Sequence, residues 1–594
     1  MCSGKWHVQK STVRKGKTLA HGQFEARQTV HVCEAGCRDA SGARVTRGSS
    51  SLTKALIPHS VAGYDVMSFV GQQRFLHNSQ REEIREKLVR EYGLELSSGE
   101  VSHLSRLFLN YLERLHRSRS GKLREAIERD GGWPMHVDAT GEDGRGTLLV
   151  VMDGWRGWVL GSWKPSTERS DLILPCLREI VQRFGMPCAV VRDLGQAVTL
   201  AVEELLTGAS QEVPVLACHL HFLADIGKDM LDPSHSALRS QFRRTKIRPK
   251  LRAFARELGR RVGESSEQTR QRVLAWQKMI GTAHLIPSGK DGLAIARALA
   301  QWILDYHAQT NGIGFPFDRP YLDLYERCMT AHHALDSFLL TPPEDRSVIQ
   351  ALRRLRRILD PVVCDIPFRS VSRRLRRRAE LFDELRATLR LTAIEPPKDE
   401  TPQDLETMRC QIGPLVESME KRRAERGTTA DTKEAIELIF EHLGSHADYL
   451  WGHAILLPEC AGGGVRLVKR TNNLLENFFG LMKHAERRRS GRKNLTYDLE
   501  QLPAQAALAM NLNDPEYVNI VCGSLDRLPD AFAQLDSEQH CKSQKDVLQQ
   551  NADNLSPMLQ IESASLSTSD RTTVRTEAMN ERIRAAAGGR ATLP

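Results

Sequence analysis

The segment from Met135 to Phe222 constrains the fold most, because short apolar runs alternate there with two amphipathic patterns. The short runs have the length of strands, and the two longer patterns repeat apolar residues at helical spacing. In chain order we predict strands at Met135–Ala139, Thr147–Met152 and Trp158–Trp163, a helix at Asp171–Phe184, a strand at Cys188–Arg192, a helix at Gln196–Leu206 and a strand at Val213–Cys218. Near-continuous apolar runs are typical of strands that are covered on both faces. The order β-β-β-α-β-α-β therefore predicts an α/β domain built on a mixed five-stranded sheet.

Two aspartates, Asp138 and Asp193, each lie at the C-terminal end of a predicted strand. If the two strands are neighbours, the carboxylates converge on one edge of the sheet. Carboxylates held that close repel each other, and bound divalent cations would remove the repulsion. The alternative is that an aspartate at a strand end only opens a turn. Asp153, which precedes Gly154, is the clearest example, and it is the replacement candidate if Asp138 is not part of the site.

A third carboxylate, Glu476, lies in a late amphipathic helix predicted over residues 473–488. At about 100° per residue, Gly480, Lys483 and Arg487 lie within about 40° of Glu476 around the helix axis. One stripe of the helix therefore presents a carboxylate, a residue without a side chain and two cations. The opposite face is apolar and suited to packing on a sheet, and it consists of Leu475, Phe478, Phe479 and Met482.

We interpret Glu476 as a metal ligand that joins Asp138 and Asp193. Lys483 and Arg487, together with Arg470 just before the helix, are the predicted DNA-binding residues. The alternative for Glu476 is structural, because Asn473 and Glu476 have the spacing of a capping box.

Cys218 and His221 follow the last predicted strand in the sequence Cys-His-Leu-His. A Cys-x-x-His pair can supply two of the four ligands of a tetrahedral zinc site. No second pair is obviously positioned nearby in the sequence. The alternative is a buried cysteine and a histidine that brace the edge of the site.

The N-terminal region, residues 1–60, is basic and rich in Gly, Ser and Thr. His31, Cys33 and Cys37 lie close together in it, and His21 is a further candidate ligand. This spacing predicts a small zinc module that would contact DNA.

A helix-turn-helix DNA-binding domain is predicted over residues 61–125. The first helix spans Gln80–Tyr92 and Gly93 ends it. Ser97 and Glu100 have capping-box spacing and open a second helix that continues to about His116. Helix pairs of this kind also occur in proteins that do not bind DNA.

The net charge of +10 suits a polyanionic partner, and its distribution is more informative than its size. Residues 239–261 contain ten Arg or Lys and one acid, and residues 351–378 contain ten Arg and two Asp. Such blocks are often solvated helix faces. Two of them in one basic chain favour contact with phosphate.

Beyond the sheet, residues 226–464 have predominantly helical patterns, and the polar break Ala461-Gly-Gly-Gly464 ends them. Trp276 and Trp302 lie within this region. A last stretch of residues, 530–594, is rich in Ser, Gln and Asp, and we predict that it is mostly disordered.

These features together resemble the DDE transposases of bacterial insertion sequences. The resemblance rests on Asp138, Asp193 and the helix Thr471-Asn-Asn-x-x-Glu476 with Lys and Arg behind it. Mutator-like and hAT-like relatives also have a Cys-x-x-His motif before a large helical insertion. Asp193 follows Asp138 by 55 residues, and Glu476 follows Asp193 by 283. The longer gap resembles the insertion that those families place within an RNase H-like core.

The resemblance implies an RNase H-like core in two parts, residues 130–225 and 465–525. It implies a nuclease and strand transferase that uses two Mg²⁺ or Mn²⁺ ions, with Asp138, Asp193 and Glu476 as ligands. The partners would be transposon terminal repeats, target DNA and at least one further copy of the chain. In hAT-like relatives an insertion tryptophan stacks on a flipped base, a role that either Trp276 or Trp302 could take.

The chain has no apolar run of the ~18 residues that a membrane span needs and no apolar signal core. Twelve cysteines in so long a chain form no dense disulfide framework. We therefore expect a cytoplasmic, nucleoid-associated bacterial protein. The competing interpretations are a domesticated transposase that binds DNA without cutting it, an RNase H-like nuclease without strand transfer, and a helical scaffold.

Overall fold

The computed structural model describes residues 5–38, 42, 44–142, 145–208, 212–263, 265, 267–268, 271, 274–275, 286, 288–308, 310, 312–391 and 400–538. The chain divides into two compact units. The first comprises Met1–Arg14, Ala26–Ser50 and Asp536–Pro594, and the second comprises Lys15–Glu25 and Ser51–Leu535.

The N-terminal region forms a three-stranded sheet in the order β1-β2-β3, which the sequence analysis did not predict. Its strands are β1 (Trp6–Thr18), β2 (Gly22–Cys33) and β3 (Thr46–Arg47). β2 and β3 are antiparallel, with His31 opposite Arg47. In the described part of this region no three His, Cys, Asp or Glu side chains converge as metal ligands. His31, Cys33 and Cys37, with His21 as a further candidate, are therefore not among the described side chains that converge in threes, and the zinc module stays a prediction.

A group of helices follows, and the predicted helix pair is confirmed within it. The helices are α1 (Ser50–Ala55), α2 (Tyr64–Phe75), α3 (Arg81–Tyr92), α4 (Ser98–Ser118) and α5 (Ser120–Arg129). Gly93 ends α3 in the left-handed conformation, with φ of 63°. The Ser97 hydroxyl accepts the Glu100 N–H at 3.1 Å, and the Glu100 carboxylate accepts the Ser97 N–H at 2.6 Å. The capping box therefore fixes the start of α4.

The predicted mixed five-stranded sheet is confirmed. Its strands are β4 (Pro134–Glu142), β5 (Arg145–Asp153), β6 (Val159–Trp163), β7 (Ala189–Arg192) and β8 (Val215–Ala217), in the order β6-β5-β4-β7-β8. β4, β5 and β6 pair antiparallel, whereas β4, β7 and β8 pair parallel. The helices α6 (Ser170–Phe184) and α7 (Gln196–Leu206) join these strands at the predicted places. The sheet shares one continuous apolar core with α2–α5, so residues 61–125 are not packed as a separate body.

The region after β8 is helical and has an apolar core of its own. Its described helices are α8 (His219–Thr245), α9 (Ile247–Val262), α10 (Gly289–Leu304), α11 (Pro320–Leu340), α12 (Arg346–Val363), α13 (Ile366–Thr388), α14 (Pro402–Ala424) and α15 (Ala430–His446). The predicted all-helical range, 226–464, was wrong at its end. There β9 (Ala454–Leu456) and β10 (Val465–Leu467) form an antiparallel hairpin, because the glycines predicted as a break form its turn.

The chain then returns to the first core through α16 (Asn473–Ser490), α17 (Thr496–Gln501) and α18 (Pro515–Val521). The predicted disordered tail was wrong at its start, because residues 528–538 are helical. Phe532 is buried there, and its ring lies 5.8 Å from that of Phe108. The rest of the predicted tail lies outside the described residues. In the described part of the chain, no helix is both long and apolar enough to span a membrane.

Candidate active site

The pairing of β4 with β7 places Asp138 beside Asp193. The last parallel pair joins Val137 to Arg192, so the two aspartates are the next residues on neighbouring strands. Asp193 directly follows β7, as predicted. Asp138 lies in the middle of β4 rather than at its end, because β4 continues to Glu142 in its pairing with β5. The predicted convergence of the two side chains therefore comes from strand register, and not from two strand ends.

The Asp138 carboxyl is buried in a negatively charged environment, with 8% of the residue exposed. Its pKa is raised to about 7; burial is the largest cause, and the charges of Asp193 and Glu476 act in the same direction against the opposing effects of His221 and the Ala139 N–H. Burial disfavours a charged group, and neighbouring charges of the same sign do the same. The shift therefore shows that Asp138, Asp193 and Glu476 are close enough to interact.

His221 is the cation within this group of carboxylates. Its Nε2 lies 3.6 Å from Glu476 Oε1. Burial lowers the pKa of His221, but Cys218 and the carboxylates of Asp138 and Glu476 outweigh that effect and raise it to about 9. His221 lies in the first turn of α8, directly after β8. The sequence analysis treated it as a zinc ligand or a brace and did not predict its contact with Glu476.

Among the described residues, Asp138, Asp193 and Glu476 do not form a set of three whose ligand atoms all lie within 4.8 Å of one another.

Asn472 fixes the start of α16 against the sheet, and the sequence analysis missed this role. It is fully buried, and its side-chain oxygen lies 2.9 Å from Nδ1 of His136. Its amide nitrogen donates to the Val137 carbonyl at 3.4 Å, one residue before Asp138. His136 and Asp138 are two residues apart on β4 and so face the same side of the sheet. The two hydrogen bonds of Asn472 therefore hold the start of α16, and with it Glu476, at a fixed position relative to Asp138.

The capping-box alternative for Glu476 is wrong. The residue that precedes α16 is Asn472, and its side chain makes no cap hydrogen bond. Asn473 is already the first residue of the helix, so it cannot act as the cap. The predicted apolar face of α16 is confirmed, because Leu475, Phe478, Phe479 and Met482 are all buried.

Cys218 acts as an internal acceptor at the same junction. Its side chain is fully buried, and its sulfur accepts the Asn472 N–H at 3.1 Å. Cys218 therefore makes the bracing contact that one of the two interpretations predicts, and the zinc half-site stays a prediction.

The prediction that Arg470 binds DNA does not fit its position. Arg470 is 4% exposed, and its guanidinium forms hydrogen bonds of 2.6–3.0 Å with the Glu400 carboxylate. It also donates to the Leu389 carbonyl. These contacts satisfy the guanidinium inside the protein, so Arg470 anchors the segment before α16 and does not face a phosphate.

The stripe of α16 that continues from Glu476 through Gly480, Lys483 and Arg487 is accessible. Lys483 is half-buried and donates to the Gly141 carbonyl on β4 at 3.0 Å, which leaves two of its three protons available. Arg487 is exposed. Gly480 is exposed as well, and a methyl group added there would meet no atom within 4 Å. The stripe can therefore admit a ligand backbone beside Glu476.

Asp153 and the tryptophans have structural positions. Asp153 lies opposite Met135 and accepts the N–H groups of Trp155 and Arg156. It closes a turn, so it does not replace Asp138. Trp302 is buried in the helical core, and Trp276 lies outside the described residues.

The second basic block is largely used within the protein. Six of its arginines form ion pairs with acids of other helices or of the same one, and Arg378 is itself buried between Asp431 and Glu434. It is therefore less suited to phosphate contact than its composition suggests.

No protein-family model and no curated protein matches the chain. Among solved structures, the Drosophila P element transposase strand transfer complex is similar at 10% sequence identity. The alignment covers 78% of this chain and 92% of that chain, with a TM-score of 0.30. A likeness of this size does not establish a common fold.

Proposed function

We propose that the chain is a DNA transposase of the DDE type, which binds transposon ends and catalyses metal-dependent cleavage and joining of DNA strands. The observation that supports this most is the Asp138 carboxyl beside Asp193 and Glu476, where burial, and then the charges of those two residues, raise its pKa to about 7. Keeping the charged form of such a group in the fold costs free energy, and a bound cation would offset that cost. The order of elements in the sheet domain supports the resemblance to an RNase H-like core.

The three carboxylates fit Mg²⁺ or Mn²⁺. Both are hard cations that prefer oxygen ligands, and all three side chains offer carboxylate oxygens. His221 balances part of the negative charge in the protein as it stands. Two such ions, when bound, supply an activated water and neutralise charge on the attacking and leaving oxygens of a phosphoryl transfer.

The chain's own residues bind and orient the DNA in this proposal. Lys483 and Arg487 hold phosphates along the stripe of α16, and Gly480 leaves room for the DNA backbone beside Glu476. The phosphodiester at the transposon end is hydrolysed to leave a 3′-OH. That hydroxyl then attacks a target phosphodiester, forms the new bond to phosphorus and releases the target strand's own 3′-oxygen. Joining two ends requires two such sites, so the proposal includes at least a dimer on DNA.

The test uses the full chain, DNA with the element's own flanking ends, a target plasmid and Mg²⁺. We expect nicks at the ends and joined products for the wild type. Asp193→Asn and Glu476→Gln should give neither. Asp171→Asn, which changes an exposed acid on α6 that pairs with Arg169, is the matched control and should behave as the wild type.

An Asp193→Asn or Glu476→Gln variant that still cleaves and joins would overturn the proposal. Nicks without joining by the wild type would favour the RNase H-like nuclease. DNA binding without cleavage would favour the domesticated transposase.

A further inference from the structure

A histidine, an aspartate and a cysteine converge in the helical region, far along the chain from the carboxylates described above. His332 lies on α11, Asp360 lies in the last turn of α12, and Cys364 directly follows that helix. One ligand atom from each of the three lies within 4.8 Å of the other two, and no other such set occurs among the described residues. The spacing from Asp360 to Cys364 is one helical turn, so both side chains face the same side.

Both ring nitrogens of His332 face carboxylates. Nε2 lies 2.9 Å from an oxygen of Asp360, and Nδ1 lies 3.2 Å from an oxygen of Asp336. Nε2 forms a hydrogen bond with Asp360, whereas Nδ1 forms none although the side chain is buried. A ring nitrogen and a carboxylate oxygen are therefore held side by side within the protein, as two ligands of one metal ion must be.

The formal charges of the side chains around His332 can be balanced by a divalent cation. Arg356 lies 2.5 Å from Asp336 and 3.5 Å from Asp360, so it offsets one carboxylate. The charges that remain are those of the second carboxylate and, once deprotonated, the thiolate of Cys364. Together they equal the charge of one divalent ion.

We propose that His332, Asp360 and Cys364 bind a zinc ion, with a water molecule as the fourth ligand. Nitrogen, oxygen and sulfur donors together suit Zn²⁺ and do not suit Mg²⁺. In the metal-bound state Asp336, whose oxygen lies 3.2 Å from Nδ1, accepts the Nδ1 proton and leaves Nε2 for the metal, which is the usual arrangement around a zinc-bound histidine. Binding forms a zinc–sulfur bond and releases the thiol proton of Cys364 to solvent. The ion ties α11 to α12 across the connection at residues 341–345.

The test uses Co²⁺ as the probe on the full, metal-stripped chain, because a thiolate bound to Co²⁺ gives a charge-transfer absorption that carboxylate ligands do not. We expect this absorption to saturate at one ion per chain and to disappear when Zn²⁺ is added. Cys364→Ser should abolish it, and this exposed position tolerates serine. Cys410→Ser, at another exposed cysteine of the helical region, is the control and should retain it.

A second measurement is the melting temperature. Zn²⁺ should raise it in the wild type and in Cys410→Ser, but not in Cys364→Ser. Absence of the cobalt absorption, or its persistence in Cys364→Ser, would overturn the zinc site. This outcome is independent of the proposed function, because loss of DNA cleavage in Asp193→Asn leaves the cobalt absorption unchanged.

Discussion

Asp138 and Asp153 lie on neighbouring strands of one sheet, and both are buried acids with raised pKa values. Burial is the largest cause in each case, raising the pKa of Asp138 to about 7 and that of Asp153 to about 6. The groups around them differ. Asp153 accepts two backbone N–H groups of its own turn, and the guanidinium of Arg156 favours its charged form. Asp138 instead lies beside Asp193 and Glu476, whose charges oppose its own.

The comparison separates an aspartate that is satisfied within its own turn from one that the proposed function places at a metal site. The turn N–H groups satisfy the Asp153 carboxylate within the chain, so it needs no further partner. The carboxylates around Asp138 make its charged form unfavourable, and His221 offsets them only in part. Burial and a raised pKa are common to both aspartates, so they do not tell the two apart. The strongest charged neighbour does, because it is the negative Asp193 for Asp138 and the positive Arg156 for Asp153.

The largest expected effect is on DNA cleavage. Asp138→Asn should reduce it by about 10³-fold or more, because the metal supplies several kcal/mol of transition-state stabilisation. Asp153→Asn should cleave at close to the wild-type rate, since the amide keeps an acceptor oxygen for the turn. Rates of nicking at the element's ends, with circular dichroism to verify folding, measure both. If both variants were folded and lost DNA cleavage equally, Asp138 and Asp153 would not differ in function as proposed.

A smaller effect concerns stability against pH. The pKa of Asp153 is about 6 in the folded state and about 3.8 when unfolded, so the folded state holds the proton more tightly. Its contribution to stability is full below about pH 4 and is lost as the pH rises through 6, a change of roughly 3 kcal/mol. Urea denaturation across this range should show Asp153→Asn gaining stability relative to the wild type as the pH rises. A difference in the free energy of unfolding between the two proteins that does not change with pH would contradict the raised pKa of Asp153.

The smallest effect separates the α16 stripe from an ordinary helix surface. Gly480→Ala and Gly413→Ala each place a methyl group in open space on an exposed helix, so each should stabilise the protein by up to about 1 kcal/mol. Only Gly480→Ala should weaken DNA binding, by roughly fivefold for a loss of about 1 kcal/mol. Gel-shift titrations at fixed salt measure this. Equal affinities would remove Gly480 from the DNA-binding surface.

The sequence predicted the parts of the fold whose side chains follow a strong period. The five strands of the sheet and the apolar face of α16 occur where expected, and the Ser97 capping box starts α4 as predicted. β1 and β2 were missed because they are mostly polar and largely exposed, and β9 and β10 because each has three residues. The helix at 528–538 had a usable signal, since Leu528, Phe532 and Leu535 recur at helical spacing and are buried.

Within the site, local patterns located the carboxylates but not their partners. The sequence analysis named both His221 and Arg470, but it did not predict their partners. His221 contacts Glu476, which is 255 residues away along the chain, and Arg470 contacts Glu400, which is 70 residues away. Asn472 depends in the same way on His136, so tertiary pairing rather than spacing determines all three roles.

The most direct test of the shared carboxylate site is Mn²⁺ binding by isothermal titration calorimetry, because it requires no DNA substrate. The wild type and Asp153→Asn should bind Mn²⁺ with the same stoichiometry and affinity, whereas Asp138→Asn, Asp193→Asn and Glu476→Gln should each lose or strongly weaken that binding. If folded Asp138→Asn bound Mn²⁺ as the wild type does, the three carboxylates would not form one metal site.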